Sequence, residues 1–166
     1  SRNGIGLWQK KLLGSPVGLP ATGGGKVFVA SDDQHLRALD IHEGNLEWSY
    51  LFKRSLKHGP ALVGNSVYQA VPDEGLYRLE ASPKNPIDGV VLWTAPEVVG
   101  QVVGHSGELL LVWDQETKTF TAVSKATGSV DTKVQSHGVD HAAMDGSTIV
   151  LIGNGELECV VPAGSR

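Results

Sequence analysis

The chain has 166 residues, 40% of them hydrophobic and 21 of them glycine, so it can bury one domain-sized core without disulfide or metal staples. Its net charge of −4, with no basic cluster larger than Lys53-Arg54 and Lys57, argues against nucleic acid as a partner. Cys159 stands alone, which excludes an internal disulfide and a cysteine-based zinc or iron–sulfur site, and no apolar run reaches the ~18–20 residues that span a bilayer.

The sequence opens on Ser1-Arg2-Asn3 with no Met and no signal-peptide pattern, as a processed chain or an excised segment would. Residues 4–12, with Gly4 and Trp8, predict an N-terminal strand. A strand of small residues follows over 17–22. Gly23-Gly24-Gly25-Lys26 then reads as a hairpin turn. It is not a phosphate loop, because Val27 stands where Ser or Thr is needed and a strand follows instead of a helix. Residues 26–30 are nearly continuous apolar, as in a strand covered on both faces, whereas 35–40 alternate with period two. Residues 46–50 form a fourth strand carrying Trp48. A helix over 48–58 is the alternative there, with apolar positions at 48, 51, 52 and 56, but a strand and loop fill the slot better. Adjacent Tyr50, Leu51 and Phe52 on that outer strand predict an exposed apolar contact surface.

The same order returns three times. Small-residue strands are expected over 59–63, 100–103 and 139–144, continuous apolar strands over 66–70, 108–112 and 148–152, and alternating strands over 76–80, 119–123 and 157–161. A fourth strand with a tryptophan recurs over 91–94. Residues 82–88, with two prolines, lengthen one turn and read as a surface insertion. Glycine precedes tryptophan by four at Gly4/Trp8, Gly44/Trp48 and Gly89/Trp93, and Gly128 precedes Thr132 likewise; the glycines are 40, 45 and 39 apart. Four strands in about 41 residues make a propeller blade. The expected fold is therefore all-β: a β-propeller of four four-stranded antiparallel blades, one domain over 1–166, with the N-terminal strand (about 4–12) completing the last blade. In that arrangement each outer-strand tryptophan plugs the gap to the next blade, its indole N–H free to bond a neighbouring carbonyl.

The stretch from Ala38 through Asp40 and Gly44 to Trp48 resembles the tryptophan-docking motif of pyrroloquinoline-quinone-like repeat propellers, of the quinoprotein and outer-membrane assembly lipoprotein type. Gly89 with Trp93 and Gly4 with Trp8 are partial copies, and Ala122, Ser124, Gly128 and Thr132 form a degraded one. The resemblance implies seven or eight blades, so four leave three readings open. These are a closed four-bladed ring, half of an eight-bladed ring made by two chains, and a fragment of a longer propeller. It also implies an extracytoplasmic (periplasmic or secreted) location. Quinone-dependent relatives need a clamped cofactor, a calcium-type ion and an aspartate base, and their alcohol dehydrogenases carry paired cysteines. Cys159 has no such neighbour, and no Asp/Glu/Asn run has calcium-loop spacing.

The expected function is thus a non-catalytic protein-binding or scaffolding module with no cofactor and no metal. The alternatives are a segment of a quinoprotein dehydrogenase, and a sensor domain that dimerises through half-propellers. His137 and His141 are four apart, but Gly138 breaks the helix that would bring both to one metal. Four residues near the starts of inner strands, His58, Gln101, Asp140 and His141, are the candidates for a partner-binding rim.

Overall fold

The computed structural model describes residues 6–84, 87–145 and 148–160. Fifteen strands are present among them, in four antiparallel sheets taken up in chain order. Blade 1 is β1 (Ala21–Gly23), β2 (Lys26–Ala30), β3 (His35–Asp40) and β4 (Leu46–Leu51). Blade 2 is β5 (Ala61–Val63), β6 (Ser66–Val71), β7 (Gly75–Glu80) and β8 (Val91–Ala95). Blade 3 is β9 (Gln101–Ser106), β10 (Leu109–Asp114), β11 (Thr119–Ser124) and β12 (Val130–Gln135). Blade 4 is β13 (His141–Asp145), β14 (Thr148–Gly153) and β15 (Glu156–Val160). Within each blade the strands pair in sequence order, and the inner strands β1, β5, β9 and β13 stand side by side along one arc.

Local chemistry sets the hairpins. Gly24 and Gly25 both take positive φ (58° and 75°), which closes a two-residue turn matched to strand twist and pairs Gly23 with Lys26. The core lies between blades rather than within them. Phe28, Ala30, Leu36, Ala38 and Trp48 of blade 1 pack on Val67, Val71 and Leu79 of blade 2. Tyr68, Ala70, Leu76 and Ala95 of blade 2 pack in turn on Leu110, Val112 and Val123 of blade 3. Each fully buried Leu or Phe in these layers contributes roughly 1.5–3 kcal/mol by leaving water. Side chains of a blade strand therefore alternate between its two neighbours, and both faces are covered. A bulge recurs at one place in three blades, after Ala38, Arg78 and Ala122, beside their partners Trp48, Trp93 and Thr132. It re-aims the outer strand just where it carries the tryptophan position.

Residues 6–12 carry no strand, and the described sheet of blade 4 has three strands. Gly4 lies outside the described residues. Two expectations are corrected. Phe52 is buried (2% exposed) in an aromatic group with Tyr50 and Tyr77, ring centroids 4.8 and 5.0 Å away, and only Leu51 of that triplet is exposed. The second strand of blade 3 begins at Leu109 and runs to Asp114, which turns Trp113 onto Phe120 at 4.3 Å. The insertion, too, is tied down: Gly89 N–H donates to the Ser49 carbonyl (2.9 Å) and Asp88 bridges Ser49, so this turn leans on the outer strand of blade 1.

Candidate functional site

Because antiparallel strands alternate in direction, the loops divide between two ends of the arc. One end carries the segments that lead into inner strands (residues 52–60, 96–100, 136–140) and the turns joining each second strand to the third. The other carries the tight inner hairpins and the turns before the outer strands.

At the second end, indoles clasp blade to blade. Trp48 donates its Nε1–H to the Ala81 carbonyl of blade 2 (3.1 Å), and Trp93 donates to the Lys125 carbonyl of blade 3 (3.0 Å). Trp8 does the same to Ile41 of blade 1 (3.0 Å). Each ring lies flat against a glycine: a Cβ on Gly44, Gly89 or Gly128 would stand 2.6, 3.0 or 2.8 Å from the ring of Trp8, Trp48 or Trp93. The carboxylate of Asp40 accepts the His42 and Glu43 N–H groups (2.8 and 2.7 Å), and these bonds hold its pKa below the usual range while fixing the turn that presents Gly44. Ser124 plays the weaker version at Thr127 (3.4 Å). The sequence reading missed Arg78, which fills the place held by Ala38 and Ala122 and donates Nη1–H to the same Lys125 carbonyl (2.7 Å). A charged residue in a slot held by alanine in blades 1 and 3 was the available signal. Beside it opens a cleft of about 710 Å³ between blades 2 and 3, lined by Asn65, Ser66, Tyr68, Arg78, His105 and Glu108.

The four predicted rim residues all lie at the first end, around the β10–β11 turn of blade 3. His58, half-buried in the segment before β5, has its pKa lowered, first by burial and then by Lys57. Asp114 and Glu116 of that turn pull the other way. Gln101 opens β9 opposite Trp113. Asp140 accepts a charged hydrogen bond from Lys118 of the same turn (3.0 Å), and His141 follows it as the first residue of β13. Gln101, Asp140 and His141 are exposed. In the 96–100 segment at the same end, Val99 is 60% exposed. The turn itself is held by Asp114, which accepts the Glu116 N–H (2.9 Å) and the Thr117 hydroxyl (2.6 Å).

A bound quinone carboxylate and its metal would need cationic and oxygen donors at the inner strands. Those strands read Ala-Thr-Gly, Ala-Leu-Val, Gln-Val-Val-Gly-His-Ser and His-Ala-Ala-Met-Asp, with no arginine or lysine. Among the described residues no group of three or more His, Cys, Asp or Glu side chains could hold a metal ion.

Consecutive antiparallel blades clasped by indoles over glycine turns define a β-propeller of PQQ-like repeats. The family model described as outer membrane protein assembly factor BamB matches residues 1–117, and the chain belongs to that family. No curated protein matches the sequence. Among solved structures, BamB from Moraxella catarrhalis superposes with a TM-score of 0.69 at 15% identity, over 96% of this chain and 54% of that one. The chain thus spans about half the length of that relative. The computationally designed Ika4 protein gives 0.75 at 13% identity over 95% and 98%. Quinohemoprotein alcohol dehydrogenase from Comamonas testosteroni gives 0.53 at 19% identity over 72% and 21%. Among the described residues no helix is long and apolar enough to cross a membrane.

Proposed function

We propose that the chain is a non-catalytic protein-binding module of the cell envelope, which engages its partner at the end of the arc around the β10–β11 turn. One observation carries this reading: Val99, 60% exposed, lies in the segment that enters blade 3, at the same end of the arc as His58, Gln101, Lys118 and Asp140. An exposed apolar side chain on the loop-bearing end of a rigid scaffold, beside polar groups, suits a protein contact. The family's description as an outer-membrane protein assembly factor supports partners among envelope proteins under assembly. The lack of lysine and arginine on the described inner strands supports a scaffold rather than a dehydrogenase.

The test is photo-crosslinking to outer-membrane β-barrel precursors and assembly components, with a photoreactive residue in place of Val99 and, as control, in place of Asn65 at the opposite end. Adducts from position 99 alone are expected. Equal labelling from both positions, or none from 99, overturns the assignment of the face. Dye-linked alcohol oxidation after incubation with the quinone and Ca²⁺ overturns the non-catalytic reading.

A further inference from the structure

The interface between blades 2 and 3 is built differently from the one between blades 1 and 2. The strand registers make positions comparable: Ser66 opposes Glu80 as Lys26 opposes Asp40, and Arg78 opposes Trp93 as Ala38 opposes Trp48. The indoles of Trp93 and Trp48 end on the carbonyls of Lys125 and Ala81, which therefore hold equivalent places. At the first interface Lys26 pairs with Glu47 at 2.6 Å, Ala81 is buried and Trp48 is wholly covered. The second interface has Ser66 for Lys26, Leu92 for Glu47, Arg78 for Ala38 and Lys125 for Ala81. A long cation and its carboxylate give way to a short and an uncharged side chain, and two alanines give way to cations. Trp93 is left only partly covered, and the cleft of about 710 Å³ opens beside it.

Val63 lines the cleft from β5, Tyr68 from β6 and Leu92 from β8, so part of its wall is apolar. Arg78 is held at Nε by the Ser66 hydroxyl (2.9 Å) and at Nη1 by the Lys125 carbonyl (2.7 Å). The guanidinium is thus fixed without a carboxylate, and among the described residues its Nη2 has no partner. Lys125 brings a second cation, while Glu80 and Glu108 bring two carboxylates. Among the described residues none of these four charged groups makes an ion pair. A ligand of one sign entering this cleft is attracted by two of them and repelled by the other two. A molecule that carries both signs meets each with its opposite.

We propose that the cleft between blades 2 and 3 binds a small zwitterion of the amino-acid or dipeptide class. Its carboxylate accepts from Arg78 Nη2, with Lys125 near; its ammonium faces Glu80 and Glu108, and an apolar side chain lies on Val63, Tyr68 and Leu92. An immobilised guanidinium with a free donor suits a carboxylate, because such charge-assisted bonds are short and strong. The volume of about 710 Å³ falls in the range of about 300–1,000 Å³ usual for small-molecule sites. This site lies at the opposite end of the arc from Val99, so it stands or falls apart from the protein-binding face.

Titration of the 166-residue chain with the dipeptide alanyl-leucine, followed by ¹H–¹⁵N NMR, tests it. The reporters are the Trp93 indole and the amides of residues 64–66, 105–108 and 125–126. Saturable shifts confined to these signals are expected, with acetate and methylammonium, each bearing one of the two charges, about tenfold weaker or more. Arg78→Ala installs the residue that blades 1 and 3 carry there, and it should weaken the dipeptide about tenfold or more. Glu80→Gln combined with Glu108→Gln should weaken the dipeptide while leaving acetate bound no less tightly. If Arg78→Ala loses the native indole spectrum, this second variant decides alone. No saturation up to ~20 mM, acetate binding as tightly as the dipeptide, or unchanged dipeptide affinity in a folded variant overturns the proposal.

Discussion

Gly128→Ala isolates what the indole clasp contributes to holding blades together. Gly128 has φ of 78°, and an added Cβ would stand 2.8 Å from the Trp93 ring. Gly64 also has positive φ, 58°, but a Cβ there meets nothing within 4 Å. Gly64→Ala therefore bears only the left-handed backbone cost, about 1 kcal/mol. Gly128→Ala bears that cost and must also push Trp93 off its seat, an overpacking cost of about 1–3 kcal/mol, for about 2–4 kcal/mol in all. Urea unfolding of the two variants gives the difference. A double-mutant cycle sharpens it: in a Trp93→Ala background, which is itself expected to cost about 3–5 kcal/mol, Gly128→Ala should fall back to the Gly64→Ala value. Equal losses for Gly64→Ala and Gly128→Ala, or an unchanged loss at Gly128 without Trp93, would refute the view that glycine is there to seat the ring.

Two further outcomes follow from titrating groups. Arg37 holds the Asp33 carboxylate well below the usual range, with Ser31 and His35 adding hydrogen bonds. A depressed folded pKa contributes stability that is present above the ordinary value of 3.8 and is lost as pH falls below it, so acid unfolding should steepen below about pH 4. Asp33→Asn should flatten that dependence and cost about 2 kcal/mol at pH 7, read by urea unfolding. Burial pushes the Tyr77 phenol up to about 12, helped by its 2.7 Å hydrogen bond to Glu74. That stability holds below pH 10 and is lost as pH rises toward 12; in ultraviolet titration, Tyr77→Phe should remove the component that ionises there.

The repeat was legible because each blade needs the same punctuation: a tight glycine hairpin within, and a glycine that leaves room for an indole without. Residues 26–30 and 35–40 agree with β2 and β3 to the residue. What the sequence hid is the facing of side chains on strands covered from both sides. Leu109, Leu110, Leu111 and Val112 offer no alternation to read, so nothing in the pattern marks a strand that starts at Leu109 rather than Glu108 and extends through Trp113 and Asp114. Phe52 was read as exposed because it follows Leu51 on an outer strand, but the chain turns inward after β4 and buries its ring against Tyr77. The rim residues could be placed from topology alone. The partner of Asp140 could not, because Lys118 meets it across 22 positions of sequence.

Stability in such an array is a sum over neighbouring interfaces, and the interfaces here are unequal. Blade 2 is flanked on both sides, and all six residues of β6 are buried. Blade 4 has one flank, and none of the described residues of β14 or β15 is fully buried. The β10–β11 turn stands at the border between these regimes. On one side its carboxylates face His58, which precedes the well-packed blade 2; on the other, Lys118 reaches Asp140 at the entry to the sparsely covered blade 4. The Lys118–Asp140 contact therefore ties the β10–β11 turn to the entry of blade 4.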